Sequence, residues 1–218
     1  MTEGALAMRQ DKPDYKMAHE RFMQVFHDHP EIEEAQNLMI QTALSMGDMA
    51  LLEKDCKAVL AHAPRQPMAN AALGSLRLNQ ARLEDAEKAL AVSIAARPSS
   101  LAFNDLGETL RQMKKFEAAE AATRRALILD EGCYQAWDTL ALILSDMGRV
   151  DEAAEAHRAA LRLCQTDIRL YLAAANFEQA RGDVKAVRKL LQESAPLLAH
   201  AAKAYTDKYN DLLKRLPQ

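Results

Sequence analysis

Glycine and proline are scarce. Seven of each in 218 residues are too few for an all-β fold, which needs a turn about every ten residues. Aromatic residues supply only 5% of the chain while alanine alone fills 41 positions, a composition that points to helix throughout. No run of eighteen apolar residues occurs, so no membrane-spanning helix is expected. The three cysteines, Cys56, Cys133 and Cys164, are odd in number and form no CxxC pair. That excludes a disulfide framework. Each reads as a reduced, packed thiol, which makes the cytoplasm the default expectation for location. Neither sign of charge dominates, with 28 Lys+Arg against 31 Asp+Glu, so the footprint of a general nucleic-acid binder is missing. Residues 1–11 have no basic start and no long apolar stretch, and do not read as a secretory signal as they stand.

The motifs of chemistry are also missing. The six histidines are His19, His27, His29, His62, His157 and His200. His27 and His29 are two apart and point to different sides of a helix. No HExxH, no paired Cys/His set and no Asp-rich loop suggests a metal. No GxGxxG, P-loop or GxSxG suggests a nucleotide or an activated serine. His157 falls on the buried side of its helix and reads as a packed residue. Glu117 with Glu120, and Asp151 with Glu155, complement a helix dipole or are solvated. No acid, base and nucleophile converge, so the chain is expected to be no enzyme and to hold no cofactor.

What the sequence does contain is a period. Pro30, Pro64 and Pro98 are each 34 residues from the next. Gly74 and Gly107 are 33 apart, and Gly47, Gly148 and Gly182 follow at 101 and 34. Punctuation at a fixed interval marks a stacked array. Residues 100–133 and 134–167 align without a gap: Phe103 with Trp137, Leu106 with Leu140, Phe116 with Val150, Ala119 with Ala153, Ala126-Leu127 with Ala160-Leu161, and Leu129 with Leu163. Trp137, Leu140, Ala141 and Leu144 fall at i, i+3, i+4 and i+7, one face of a helix. Ala153, Ala156, Ala160 and Leu163 mark a second helix after a turn at Gly148-Arg149. Small alanines at the crossing let the two helices approach closely, with Trp137 as the expected packed anchor.

The pattern W-x-x-L-G/A, then G-x-x-x-x-A, then A-x-x-x-x-P at 34-residue spacing resembles the tetratricopeptide repeat. Trp137, Leu140, Ala141, Leu144, Gly148, Ala153 and Ala160 carry it in the best unit. Phe103, Leu106, Gly107, Leu110, Ala119 and Ala126 carry it in the unit before, and Leu73, Gly74, Ala86 and Pro98 in 67–99. The unit 33–66 keeps Gly47 and Pro64 but has Gln36 and Leu52 at motif positions. The unit from 168 keeps Tyr171, Ala174, Ala175 and Gly182 but has Val187 for alanine. The resemblance implies an all-α, right-handed α-solenoid over 1–195, with units of about 1–32, 33–66, 67–99, 100–133, 134–167 and 168–195. From 196 to 218 a capping helix and tail follow. In that helix Leu197, Leu198, Ala201, Tyr205, Tyr209, Leu212 and Leu216 form one apolar stripe, while His200, Lys203, Asp207, Lys208, Asp211 and Lys214 line the other face. A polar-faced terminal helix of this kind covers the last apolar surface of an array.

At the other end, Ala18, Phe22, Val25 and Pro30 fit the second half of a unit, with Pro13-Asp14-Tyr15 at the turn. Thr2 would already lie in a first helix. The expectation is an array that begins within a repeat, was cut from something longer or stacks on something upstream, and has an apolar end through which two copies could pair.

The resemblance also implies a function: a non-catalytic interaction module that receives an extended or helical protein segment on the concave face of the array. Positions opposite the packing stripe are Asn37 and Gln41, Ala71 and Ser75, Asn104 and Glu108, Asp138 and Leu142, and Leu172 and Asn176. One turn further come Asn79, Gln112 and Asp146. None is a lysine, so the two-carboxylate clamp of chaperone-binding relatives is not matched. Asn37, Asn104 and Asn176 offer a donor and an acceptor to a partner's backbone. Glu108, Asp138 and Asp146 favour basic residues, and Leu142 and Leu172 favour apolar ones. Two other readings stay open. In one the array is the regulatory or structural part of a larger enzyme or secretion assembly; in the other these positions are solvated residues of a spacer.

Overall fold

A computed structural model describes Gly4, Met8 and residues 14–217. Among these residues the chain is all-α, with twelve α-helices and no strand. The helices are α1 (Tyr15–Asp28), α2 (Glu33–Met46), α3 (Met49–His62), α4 (Pro67–Asn79), α5 (Leu83–Ala96), α6 (Ser100–Gln112), α7 (Phe116–Leu129), α8 (Tyr134–Asp146), α9 (Val150–Leu163), α10 (Ile168–Ala180), α11 (Val184–Ser194) and α12 (Lys203–Lys214). They group into two compact units, 1–113 and 114–218. The expectations for Thr2 and Pro13 lie outside the described residues.

Short polar side chains start many of the helices. Asp14, Asp48, Ser99, Asp167 and Asp183 each accept a hydrogen bond from a backbone N–H in the first turn of the helix that follows, satisfying donors that the helix itself leaves open. The turn inside each helix pair is equally regular. Gly47, Ala81, Lys114, Gly148 and Gly182 all adopt positive φ, between 56° and 78°. After α4, α8 and α10 a pair of backbone bonds closes the helix end. The two bonds after α8 run from Gly148 N–H to Ser145 C=O at 3.0 Å and from Arg149 N–H to Leu144 C=O at 2.9 Å, the Schellman arrangement. Ala81 and Lys114 therefore hold a left-handed conformation that L residues disfavour.

In unit 1, α1 to α6 pack in sequential pairs around Phe22, Met39, Ile40, Leu52 and Val59, all at most 1% exposed. The α4–α5 crossing is close: a Cβ on Gly74 would lie 2.6 Å from Cγ of Leu90. In unit 2, α8 packs on α9 around Ile143 and Leu144, while Val187, Leu191, Tyr209 and Leu212 join α11 to α12. The apolar stripe of the C-terminal segment packs as expected, but the segment is not one helix. A 3₁₀ turn, Ala195–His200, ends where Ala201 and Ala202 adopt extended backbone (ψ 145° and 147°), and α12 begins at Lys203. Trp137 also departs from expectation. It is half-buried, packs at the edge of the α8–α9 core, and donates from Nε1 to the Glu131 carbonyl at 2.9 Å. The bulk of the ring lies at the rim because Ala153, Ala154 and Ala156 let α8 and α9 close with little room between them.

Candidate functional site

The sequence places thirteen candidate contact positions on the first helix of successive pairs. On unit 1 most of them are engaged within the protein. Gln66 Nε2 donates to Asn37 Oδ1 at 2.5 Å while Gln66 Oε1 caps α4. The Ser75 hydroxyl donates to the Ala71 carbonyl and to the Asp105 carboxylate, which ties α4 to α6. Asn104 is buried and donates to Asp105 at 3.2 Å. Burial raises the pKa of the Asp105 carboxyl, and these two donors oppose the rise. Glu108 accepts from Arg111 at 2.8 and 2.9 Å and from Gln112 at 2.8 Å. Gln41 and Gln112 are exposed. Several side chains of this face bond to one another, while Asn104 Oδ1 and Ser100 Oγ are buried without a partner.

Unit 2 differs. A cavity of about 540 Å³ opens between α8, α10 and α12. Asp138, Leu142, Leu172 and Asn176, four of the expected contact residues, line it. Asp146 is exposed on the last turn of α8. The cavity also takes in Ser145, His157, Phe177, Arg169, Tyr205 and Lys208. Lys208, assigned from sequence to the solvated face of the C-terminal segment, stands 5.8 Å over the Tyr205 ring at the cavity's edge. Arg169 is held by Asp167 through Nε–Oδ1 at 2.9 Å and Nη2–Oδ2 at 2.5 Å, and this bond is the main cause of the lowered pKa of Asp167.

His157 forms the floor. It is 4% exposed and packs against Phe177 with ring centroids 5.1 Å apart. Its Nδ1 faces Asp138 Oδ1 at 3.8 Å, beyond hydrogen-bond length, and its Nε2 is buried with no hydrogen-bond partner. Burial holds the imidazole pKa down at about 4, so it is neutral at pH 7. The periodicity carries a signal for this residue. The eighth position of α1, α3, α5, α7, α9 and α11 is Phe22, Cys56, Leu90, Thr123, His157 and Leu191, all buried. Only here does an imidazole stand in that column. Arg169, Tyr205 and Lys208 carried no such mark, because their convergence depends on how α12 crosses α10.

No cluster of His, Cys, Asp and Glu that could hold a metal occurs among the described residues, and no helix among them is long and apolar enough to cross a membrane. The tetratricopeptide-repeat family model matches residues 134–167, the α8–α9 pair. No curated protein sequence matches the chain. Among solved structures, the APC/C hetero-tetramer Cut9-Hcn1 contains a chain similar over 94% of this one, at 17% identity and a TM-score of 0.80, and this chain spans 40% of that one. PilW, a type IV pilus biogenesis factor, is similar over 97% of this chain and 96% of its own, at 15% identity and a TM-score of 0.77. YrrB, a TPR protein with an unusual peptide-binding site, is similar over 84% and 94%, at 15% identity and a TM-score of 0.60. At these identities the likeness carries the fold. A matched repeat at its best-preserved pair, and helix pairs recurring every 33 or 34 residues on either side, give the chain a tetratricopeptide-repeat-like fold.

Proposed function

We propose that the chain is a protein-interaction scaffold without chemistry of its own, and that a partner segment with basic and apolar residues lies along α8, α10 and α12 of unit 2. The observation that carries this reading is the open cavity beside Asp138, Leu142 and Asn176. Several of the matching positions of unit 1, Asn37, Ser75 and Glu108 among them, already bond within the protein. A pre-formed face lowers the ordering cost of binding, because only the flexible segment loses freedom. Asp138 and Asp146 attract basic residues, and Asn176 offers an amide to the segment's backbone.

A random peptide library displayed on phage, selected against the chain and followed by fluorescence anisotropy on the recovered peptides, tests this directly. Selected peptides should be enriched in Lys, Arg and aliphatic residues. Asp138→Lys with Asp146→Lys should weaken them at least about tenfold with helicity intact, since a tenfold change is 1.4 kcal/mol and two reversed charges exceed that at a partly desolvated face. Equal affinity for parent and double variant would remove the assignment of this face.

A further inference from the structure

We propose that the unit 2 cavity is a specificity pocket for one cationic side chain, Lys or Arg, of the partner segment, with His157 Nε2 and the Asp138 carboxylate as its acceptors. The inference rests on the reading of this face as a segment-binding surface and names what the surface selects.

The first ground is a cost with no return inside the protein. In the eighth position of the second helices, Phe22, Leu90 and Leu191 are each at most 1% exposed and need no partner. His157 replaces such a residue and leaves Nε2 buried and unpartnered. A buried polar atom without a partner forfeits its hydration and gains nothing. The imidazole lines the cavity, which puts this unpartnered nitrogen in a residue at the cavity wall.

The second ground is which kind of group fits. A neutral imidazole has one N–H donor and one acceptor. The Asp138 carboxylate faces Nδ1 and favours the proton there, which leaves Nε2 as the acceptor. Carboxylate and Nε2 together therefore call for a donor, and a positively charged one is favoured by the carboxylate. Leu142, Leu172, Ala173 and Phe177 line the same space and suit the methylene stem that Lys and Arg carry behind the charge.

The third ground is position. Arg169 stands at the other end of α10, while Arg181 lies over the Phe177 ring, 5.6 Å from its centroid. Arg169 lies in the first turn of the helix and Phe177, against which His157 packs, eight residues later, about 12 Å along the axis at 1.5 Å per residue. The Arg169 guanidinium is already bonded to Asp167. An extended segment covers that distance in about four residues at roughly 3.3 Å each. A basic residue over His157 therefore places the residue four positions away near the Arg169 end of α10.

The experiment uses the full chain with ¹⁵N-labelled histidine and four probes: the N-acetyl amides of arginine, lysine, glutamate and norleucine. The arginine and lysine probes should shift the His157 Nε2 resonance and saturate. The glutamate and norleucine probes should bind at least tenfold more weakly. His157→Phe should lose the arginine probe at least tenfold while raising the melting temperature, a pairing that a merely structural residue would not give. Asp138→Asn, at a partly exposed site, should lose it as well. Tighter binding of glutamate than arginine, no binding of any probe, or unchanged arginine affinity in both variants would overturn the pocket. The two readings fail separately. Selected peptides that bind this face without a basic residue and ignore His157→Phe would keep the face and remove the pocket. Saturable arginine binding with no peptide bound would keep the pocket and remove the face.

Discussion

His19 in unit 1 and His157 in unit 2 are 5% and 4% exposed, yet they are buried on opposite terms. His19 Nε2 meets Asp55 Oδ2 at 2.7 Å, with both side chains 6% exposed, so each satisfies the other inside the core. His157 has a carboxylate at 3.8 Å on one nitrogen and nothing on the other. The same contrast runs through the two units. In unit 1 most buried or partly buried polar groups answer one another across helices, Ser75 with Asp105, Gln66 with Asn37, and Arg77 with Glu53 at 2.8 Å, and Asn104 Oδ1 and Ser100 Oγ are the exceptions among the described residues. Arg77 and then Lys57 hold the Glu53 carboxyl down at about 2. Unit 2 leaves its buried imidazole open beside a cavity. A closed polar lattice fixes helix against helix. An open acceptor keeps a desolvation cost that a closed pair does not.

The largest expected effect breaks the closed side of this contrast. Asp55→Ala leaves His19 buried without its partner, and removal of one member of a buried pair costs about 3–5 kcal/mol. Urea denaturation followed by circular dichroism should show that loss. A change below about 1 kcal/mol, the range of surface pairs, would mean that the pair is solvated and the contrast is false.

Acid tests the open side. The folded pKa of His157 is depressed from 6.5 to about 4. Its contribution is therefore complete above pH 6.5 and is lost as pH falls toward 4, because the unfolded chain takes up the proton first. Over that window the loss is about 3 kcal/mol at 1.36 kcal/mol per unit. Urea midpoints measured between pH 7 and pH 4.5 should fall less steeply in His157→Phe than in the parent. Parallel slopes would show that water reaches the imidazole in the folded protein.

Trp137 sharpens the same comparison within unit 2. A fully packed tryptophan would cost about 3–5 kcal/mol on truncation to alanine. The half-buried ring with its single bond to the Glu131 carbonyl should cost about 2 kcal/mol, from part of its apolar area and one hydrogen bond. A thermal melt of Trp137→Ala decides between those values.

What the sequence reveals and what it conceals divides along physical lines. The helix pairs are legible because their apolar spacing and small crossing residues recur every 33 or 34 positions. The contact positions are legible as positions, because a helix fixes which residues share a face. Whether those residues are open or engaged is not. Ser75 meets Asp105 and Gln66 meets Asn37 across about thirty residues of chain, and nothing local in either partner announces the other. The break at Ala201-Ala202 is hidden because alanine is the strongest helix former, and packing of α12 on α10 and α11 outweighs that preference. His157 was legible as buried, since it stands in a buried column. That its Nε2 lacks a partner emerges only when the surrounding side chains are in place.

The smallest effect concerns the turn the units share. Glycine at 47, 148 and 182 marks it in sequence, but Ala81 and Lys114 adopt the same positive φ with no glycine to announce it. At Ala81 the preceding helix closes with the same pair of terminal bonds as at Gly148 and Gly182, so residue identity sets the cost of the turn. For an L residue that cost is about 1–2 kcal/mol. Glycine would remove it but would also loosen the unfolded chain by about 0.4–1 kcal/mol. Lys114→Gly should therefore stabilise the protein by about 0.5–1 kcal/mol. Gly148→Ala, the reverse change at the equivalent turn with no side chain within 4 Å of the new Cβ, should destabilise it by a similar amount. If thermal melts show both variants moving in the same direction, side-chain contacts rather than backbone conformation govern the turn.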